Sequence, residues 1–161
     1  MAVTAGEFRS ALRKFASGVT IVTVAGEGEL HGMTASSFAS VSLDPPLVLV
    51  CLDQTSHTRA LVAQTGTFAV NVLRSDQEET SRAFARSGLK PFATVPHRTG
   101  DNGAPVLDEA IAVLECSTRE TFEAGDHDVV LGEVTAAWVA DGDPLVYYDG
   151  AYRSLTSSSD S

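Results

Sequence analysis

Four consecutive small residues, Thr34-Ala35-Ser36-Ser37, precede the double proline of Asp44-Pro45-Pro46 and the apolar run that starts at Leu47. Their side chains are short enough to let a flat ligand approach the main chain. Three hydroxyls and the local N–H groups can donate to a carbonyl, a ring nitrogen or a phosphate. An ordinary polar strand end or turn would use the same residue types. A second candidate is Asp126-His127-Asp128, a histidine at a turn between two carboxylates. Such a histidine can titrate near neutrality or bind a ligand, and turn aspartates that cap backbone groups are the competing reading.

Several common chemistries lack their first requirement. Gly26-Glu27-Gly28 begins like a dinucleotide fingerprint, but His31 stands where the third glycine belongs, and Gly32 comes one residue late. There is no GK[ST] phosphate loop, no G-x-S-x-G elbow and no HExxH pair. His31, His57, His97 and His127 are far apart, and Cys51 and Cys116 form no CxxC pair, so no metal set is expected. The two cysteines sit in strand-like contexts rich in apolar residues and read as buried reduced thiols rather than a disulfide.

These residues need a scaffold. A chain of 161 residues suits one domain, here residues 1–155, with the TSSSDS end, 156–161, expected to be a mobile tail. Eleven Lys and Arg against 21 Asp and Glu give a net charge of −10, with no basic stripe to follow a nucleic-acid backbone. An anion held by N–H groups, hydroxyls and one or two Arg is compatible with that charge. Hydrophobic residues make up 43% of the chain, in runs too short to cross a bilayer, and no secretory signal opens it, so a cytoplasmic protein is expected.

Thr4 and Glu7 form a capping box ahead of Phe8, Ala11, Leu12 and Phe15, which predicts an amphipathic helix running to Gly18. VTIVTVA and the segment through LHGMTAS predict a hairpin about Gly26-Glu27-Gly28. The prolines should launch a strand at Leu47. A helix from Ser56 or Thr58 to Gly66, the strand TFAVNVL, a helix from Ser75 or Asp76 to about Gly88, and a loop over 89–105 follow. IAVLECSTRETFEA, HDVVLGEVTAAWVA and PLVYYDGAYRSL predict three further extended segments. Six or seven strands without regular βαβ alternation favour a mainly β, antiparallel barrel with peripheral α-helices.

The order of these segments resembles the short-chain flavin reductases that supply reduced flavin to two-component monooxygenases. The resemblance runs from FASGVTIVTV through HGMTASSFASVSLDPPLVLVCLD and SHT to FAVNVL, FARSG, GDHDVVLGEV and PLVYYDGAYRSL, nearly the whole chain. It implies a split β-barrel of the FMN-binding type, Greek-key-like, in a homodimer with flavin near the subunit interface. It also implies that Thr34, Ala35, Ser36 and Ser37 line the isoalloxazine and ribityl side, with Cys51, Leu52 and Asp53 beside the ring or chain. By the same resemblance Ser56, His57 and Arg59 would hold the phosphate end, near Phe84 and Arg86. His127, Tyr152 and Arg153 would flank the nicotinamide of NADH or NADPH, His127 in the catalytic position, for hydride transfer to FMN or FAD. A separate oxygenase would receive the reduced flavin. A flavin-binding carrier or sensor on the same barrel is the alternative.

Overall fold

The computed structural model describes residues 2–156, so 157–161 of the expected tail lie outside the described residues. Helices α1 (Ala5–Leu12), α2 (His57–Thr65) and α3 (Glu78–Ala85) accompany twelve strands. These are β1 (Ser17–Gly18), β2 (Thr20–Gly26), β3 (Glu29–Ala35), β4 (Phe38–Ser42), β5 (Leu47–Asp53), β6 (Thr67–Val72), β7 (His97–Thr99), β8 (Pro105–Leu107), β9 (Ala112–Ala124), β10 (His127–Val139), β11 (Val146–Tyr148) and β12 (Ala151–Arg153).

Seven strands form one antiparallel sheet in the order β3-β2-β6-β9-β10-β5-β4. Its two edges, β3 and β4, are joined by Ser36 and Ser37 alone. Three Cα–Cα steps span at most about 11 Å. Laid flat, seven strands at about 4.8 Å spacing would hold their outer edges about 29 Å apart. The sheet therefore closes into a barrel with a seam, and Ser36 and Ser37, two of the small residues singled out above, are that seam.

The barrel encloses Val22, Val24, Val50, Leu52, Phe68, Val70, Cys116 and Val130, and Leu61 and Val62 of α2 pack against them. Burial pushes the Cys116 thiol up to about 12, an inert group; Cys51 is half-buried and also unpaired. A second core, with Ile21, Leu73, Phe84, Val106, Leu107 and Leu145, joins β2 and β6 to α3 and β8. Thr20 to Val24 are consequently all buried, so β2 reads as a continuous β-branched run without alternation.

The hairpin between β2 and β3 turns through Glu27 and Gly28, both at positive φ (53° and 78°), as a two-residue primed turn requires. Residues 89–105, expected to be a loop, instead contain β7, which pairs with β8. Buried side chains fix this hairpin: Thr23 Oγ1 donates to the Pro105 carbonyl (2.5 Å), and Asn71 Oδ1 accepts from the Leu107 N–H (2.9 Å). PLVYYDGAYRSL is two strands, β11 and β12, turning at Asp149-Gly150 and joined by β1 in a three-stranded sheet.

Helix α3 begins at Glu78, later than the Ser75 or Asp76 start expected. Both carboxylate oxygens of Asp76 are held by Arg74 (2.7 and 2.9 Å), and the Arg74 N–H donates to Gln77 Oε1 (2.8 Å). Asp76 is turned to Arg74, and no side chain caps α3 at Gln77. Helix α1 carries the expected Thr4–Glu7 capping box but ends at Leu12. None of its residues is buried, and Phe8, Leu12 and nearby Phe15 are 55%, 55% and 79% exposed.

Candidate functional site

Strand alternation sends His31, Met33 and Ala35 of β3 toward the barrel and α2, and Gly32 and Thr34 toward α3. Met33 and Ala35 join the barrel core, and His31 Nδ1 lies 2.9 Å from Thr58 Oγ1 of α2. On the other face Thr34 Oγ1 donates to the Ser81 carbonyl of α3 (2.5 Å). A Cβ at Gly32 would stand 3.0 Å from the Val22 carbonyl oxygen and 3.2 Å from the Phe84 ring, so the close seat of α3 on β3 depends on glycine.

Between the first turn of α2 and residues 84–90 lies an open cavity of about 710 Å³, within the range of small-molecule sites. Thr34 and Asp53 line it, with Ser56, His57, Arg86 and Lys90. A smaller cavity of about 150 Å³ shares Thr34 and continues to Ser36, Tyr147 and Tyr152. The large cavity has a cationic end. The Lys90 Nζ donates to the Phe84 and Arg86 carbonyls (3.0 and 2.5 Å), which closes the C-terminal end of α3, and burial lowers the ammonium from the usual lysine range.

Ser56 caps α2 by accepting the Arg59 N–H (3.1 Å), and the positive N-terminal end of that helix opens onto the cavity. His57 Nε2 pairs with Glu29 Oε1, and its ring meets that of His31 edge-on at 4.8 Å. The Asp53 carboxylate accepts from the Thr55 hydroxyl (2.6 Å) and N–H (2.7 Å), which hold it below the usual carboxylate range.

Burial first, then the charges of Lys90 and His57, lower the His31 pKa from its ordinary 6.5. The unfolded chain therefore binds a proton at His31 more readily than the folded one. The stability this contributes is complete above pH 6.5 and is lost as pH falls through the lowered value. Thermal melts should show wild type losing stability faster than His31→Gln, which keeps a polar side chain there, as pH falls below about 6.5. Parallel curves for the two proteins would refute this.

The structure brings together most of the residues nominated from sequence. Thr34, Asp53, Ser56, His57, Phe84 and Arg86 line the large cavity, and Ser36 and Tyr152 share the small one with Thr34. Tyr152 Oη is 2.7 Å from Ser81 Oγ, and its ring lies beneath the Arg82 guanidinium at 4.8 Å. Ser37 works along the seam, where its hydroxyl donates to the Cys51 carbonyl (3.0 Å) and its carbonyl accepts the Cys51 N–H (3.1 Å).

Others are placed elsewhere. The Leu52 side chain is fully buried in the barrel, because alternate residues of β5 face opposite ways, so only its main chain is left to border a ligand. Ala35 likewise turns its methyl inward and presents only main chain. Arg59 lines neither cavity; its Nε donates to Asp128 Oδ2 (2.6 Å). Arg153 is exposed and outside both cavities. His127 is also outside them, opposite Asp53 in the β10–β5 ladder, with Nδ1 2.7 Å from Asp126 Oδ1. His31, Thr58, Ser81 and Lys90 were not nominated. His31 shares the strand of Thr34, and Lys90 lies two residues beyond FARSG, so proximity to those segments was the available signal.

An NADH-dependent flavin reductase from Rhodococcus sp. is 43% identical over 156 residues, covering 95% of this chain and 88% of that protein. The solved NADH:FAD oxidoreductase of Streptomyces globisporus C-1027, in complex with NAD and FAD fragments, superposes with a TM-score of 0.92 at 38% identity over 99% of each chain. The flavin reductase component of a bacterial two-component tryptophan halogenase superposes at 0.88 and 37% identity over 94% of this chain and 98% of that one. Its relatives carry the same split barrel, and the family model described as "Flavin reductase like domain" matches residues 12–156: the chain belongs to that family.

Proposed function

We propose that the protein is an NAD(P)H:flavin oxidoreductase that reduces FMN or FAD and passes the reduced flavin to a separate oxygenase component. The observation that carries this reading is a pair of cavities that share Thr34, the small one reaching Ser36 of the seam and the large one lined by Arg86 and Lys90 and opened onto by the α2 N-terminus, with His57 beside it. That donor set suits a flat ring carrying an anionic phosphate tail.

Bound flavin would supply the hydride acceptor. The residues do the rest. Ser36 and the main chain at Ala35 would leave room for the ring, and Ser56, His57, Arg86 and Lys90 would hold the phosphate. Donors fixed by the scaffold favour an electron-rich ring over an oxidised one. Tyr152, locked by Ser81 and Arg82, and His127 would flank the nicotinamide. A Kd of about 1 μM with association near 10⁶ M⁻¹s⁻¹ would give release within about a second, which suits delivery to another protein.

The exposed apolar residues Phe8 and Leu12 of α1 and Phe15 just after it support the reading as a homodimer, because a lone subunit leaves them in water.

The test is NADH and NADPH oxidation measured with FMN and FAD in all four combinations. Turnover above the no-enzyme rate is expected, with His127→Ala raising the KM for the nicotinamide while flavin affinity stays within about twofold. Flavin retained through dialysis without turnover would favour the carrier reading instead.

A further inference from the structure

Asp128 follows the Gly125-Asp126-His127 turn, and its side chain is 1% exposed. Each oxygen has a different task. Oδ2 accepts from Arg59 Nε in the first turn of α2 (2.6 Å), and Oδ1 accepts from Gln54 Nε2 (3.0 Å). The Gln54 N–H donates in turn to the Asp126 carbonyl (3.1 Å), so Gln54 is clamped to the turn that carries His127. One buried carboxylate is thus tied by Arg59 to the first turn of α2 and by Gln54 to the segment held against the turn that carries His127.

We propose that Asp128 is a positioning residue with two separable arms, the Arg59 arm seating the flavin-phosphate end of α2 and the Gln54 arm seating the nicotinamide-side turn. This rests on the flavin reductase reading. The physical basis is that a guanidinium in the first turn opposes the helix dipole, and a buried carboxylate needs partners for both oxygens. Asp128 offsets the first and is satisfied by the pair of contacts, so Ser56 and His57 keep their place without Arg59 touching a ligand. Hydrogen bonds from Gln54 and Arg59, with the Arg59 charge, hold Asp128 ionised below the usual carboxylate range.

Two variants separate the arms. Asp128→Asn keeps the shape and one oxygen for Gln54 but faces an amide N–H₂ toward Arg59 and removes the charge. Gln54→Met removes the other arm and leaves the ion pair intact. Flavin Kd from fluorescence quenching and KM for NADH are measured for both, with circular dichroism to confirm folding. Asp128→Asn should raise flavin Kd about tenfold with KM for NADH within about twofold, and Gln54→Met should do the reverse.

If both constants stay within about twofold in each variant while only melting temperature falls, or if both rise together in each, the two-arm assignment is wrong. Should wild type bind flavin without oxidising NADH, the reductase reading fails on its own. Quenching by Asp128→Asn then still decides the flavin arm.

Discussion

Ser36→Leu should cut flavin-stimulated NADH oxidation at about 1 μM flavin by more than tenfold while melting within about 2 °C of wild type. Ser36 is exposed, and its side chain faces the cavity shared by Thr34 and Tyr152. Its structural work is done by its main chain, whose carbonyl accepts the Phe38 N–H (3.0 Å). A leucine keeps that bond. Its extra carbons occupy the space that a ring would take, and an obstruction worth about 2 kcal/mol raises Kd about thirtyfold. Ser37→Leu is a poorer probe, because the Ser37 hydroxyl also ties the seam to Cys51. Flavin titration by fluorescence quenching and a thermal melt give both readouts. An unchanged Kd in Ser36→Leu would mean that flavin does not lie against the seam.

The second large effect is on folding. Gly132→Leu should yield no soluble protein, and Gly132→Ala should lose about 1–3 kcal/mol, or roughly 4–10 °C in melting temperature. A Cβ at 132 would fall 2.6 Å from Phe68 Cζ and 3.1 Å from the Cys116 Cβ, inside the barrel. Phe68 is fully buried and has nowhere to retreat. The strand cannot move aside easily either, since Gly132 pairs with Val48 on one side and Thr118 on the other, beside a register shift. Removing ring atoms should relieve the clash, so Phe68→Leu combined with Gly132→Ala should melt higher than the sum of the separate losses predicts. A Gly132→Ala protein that melts with wild type would show that the barrel interior has slack there.

Much of this architecture was legible in the residues. The Glu27-Gly28 turn, the strand launched by Pro45-Pro46, the Ser56 cap and the Gly66 stop are local signals, and local chemistry decides them. The β7–β8 hairpin was not, because its anchors come from Thr23 and Asn71, far away in sequence. The start of α3 depended on which partner Asp76 took, a competition that spacing does not reveal. Leu52 is a different case. Cys51, Leu52 and Asp53 cannot all face one ligand from a strand, and parity alone identifies the middle residue as the inward one. The contribution of Arg59 was beyond sequence reasoning, since its true partner lies 69 residues away.

A hoop fastened by a two-residue buckle has a fixed circumference but an adjustable aperture. Ser36 and Ser37 are the buckle between β3 and β4, while the girth is maintained by ladders elsewhere. Changing a side chain at the buckle would therefore alter how long a guest stays, about thirtyfold for about 2 kcal/mol, while the girth is left as it is.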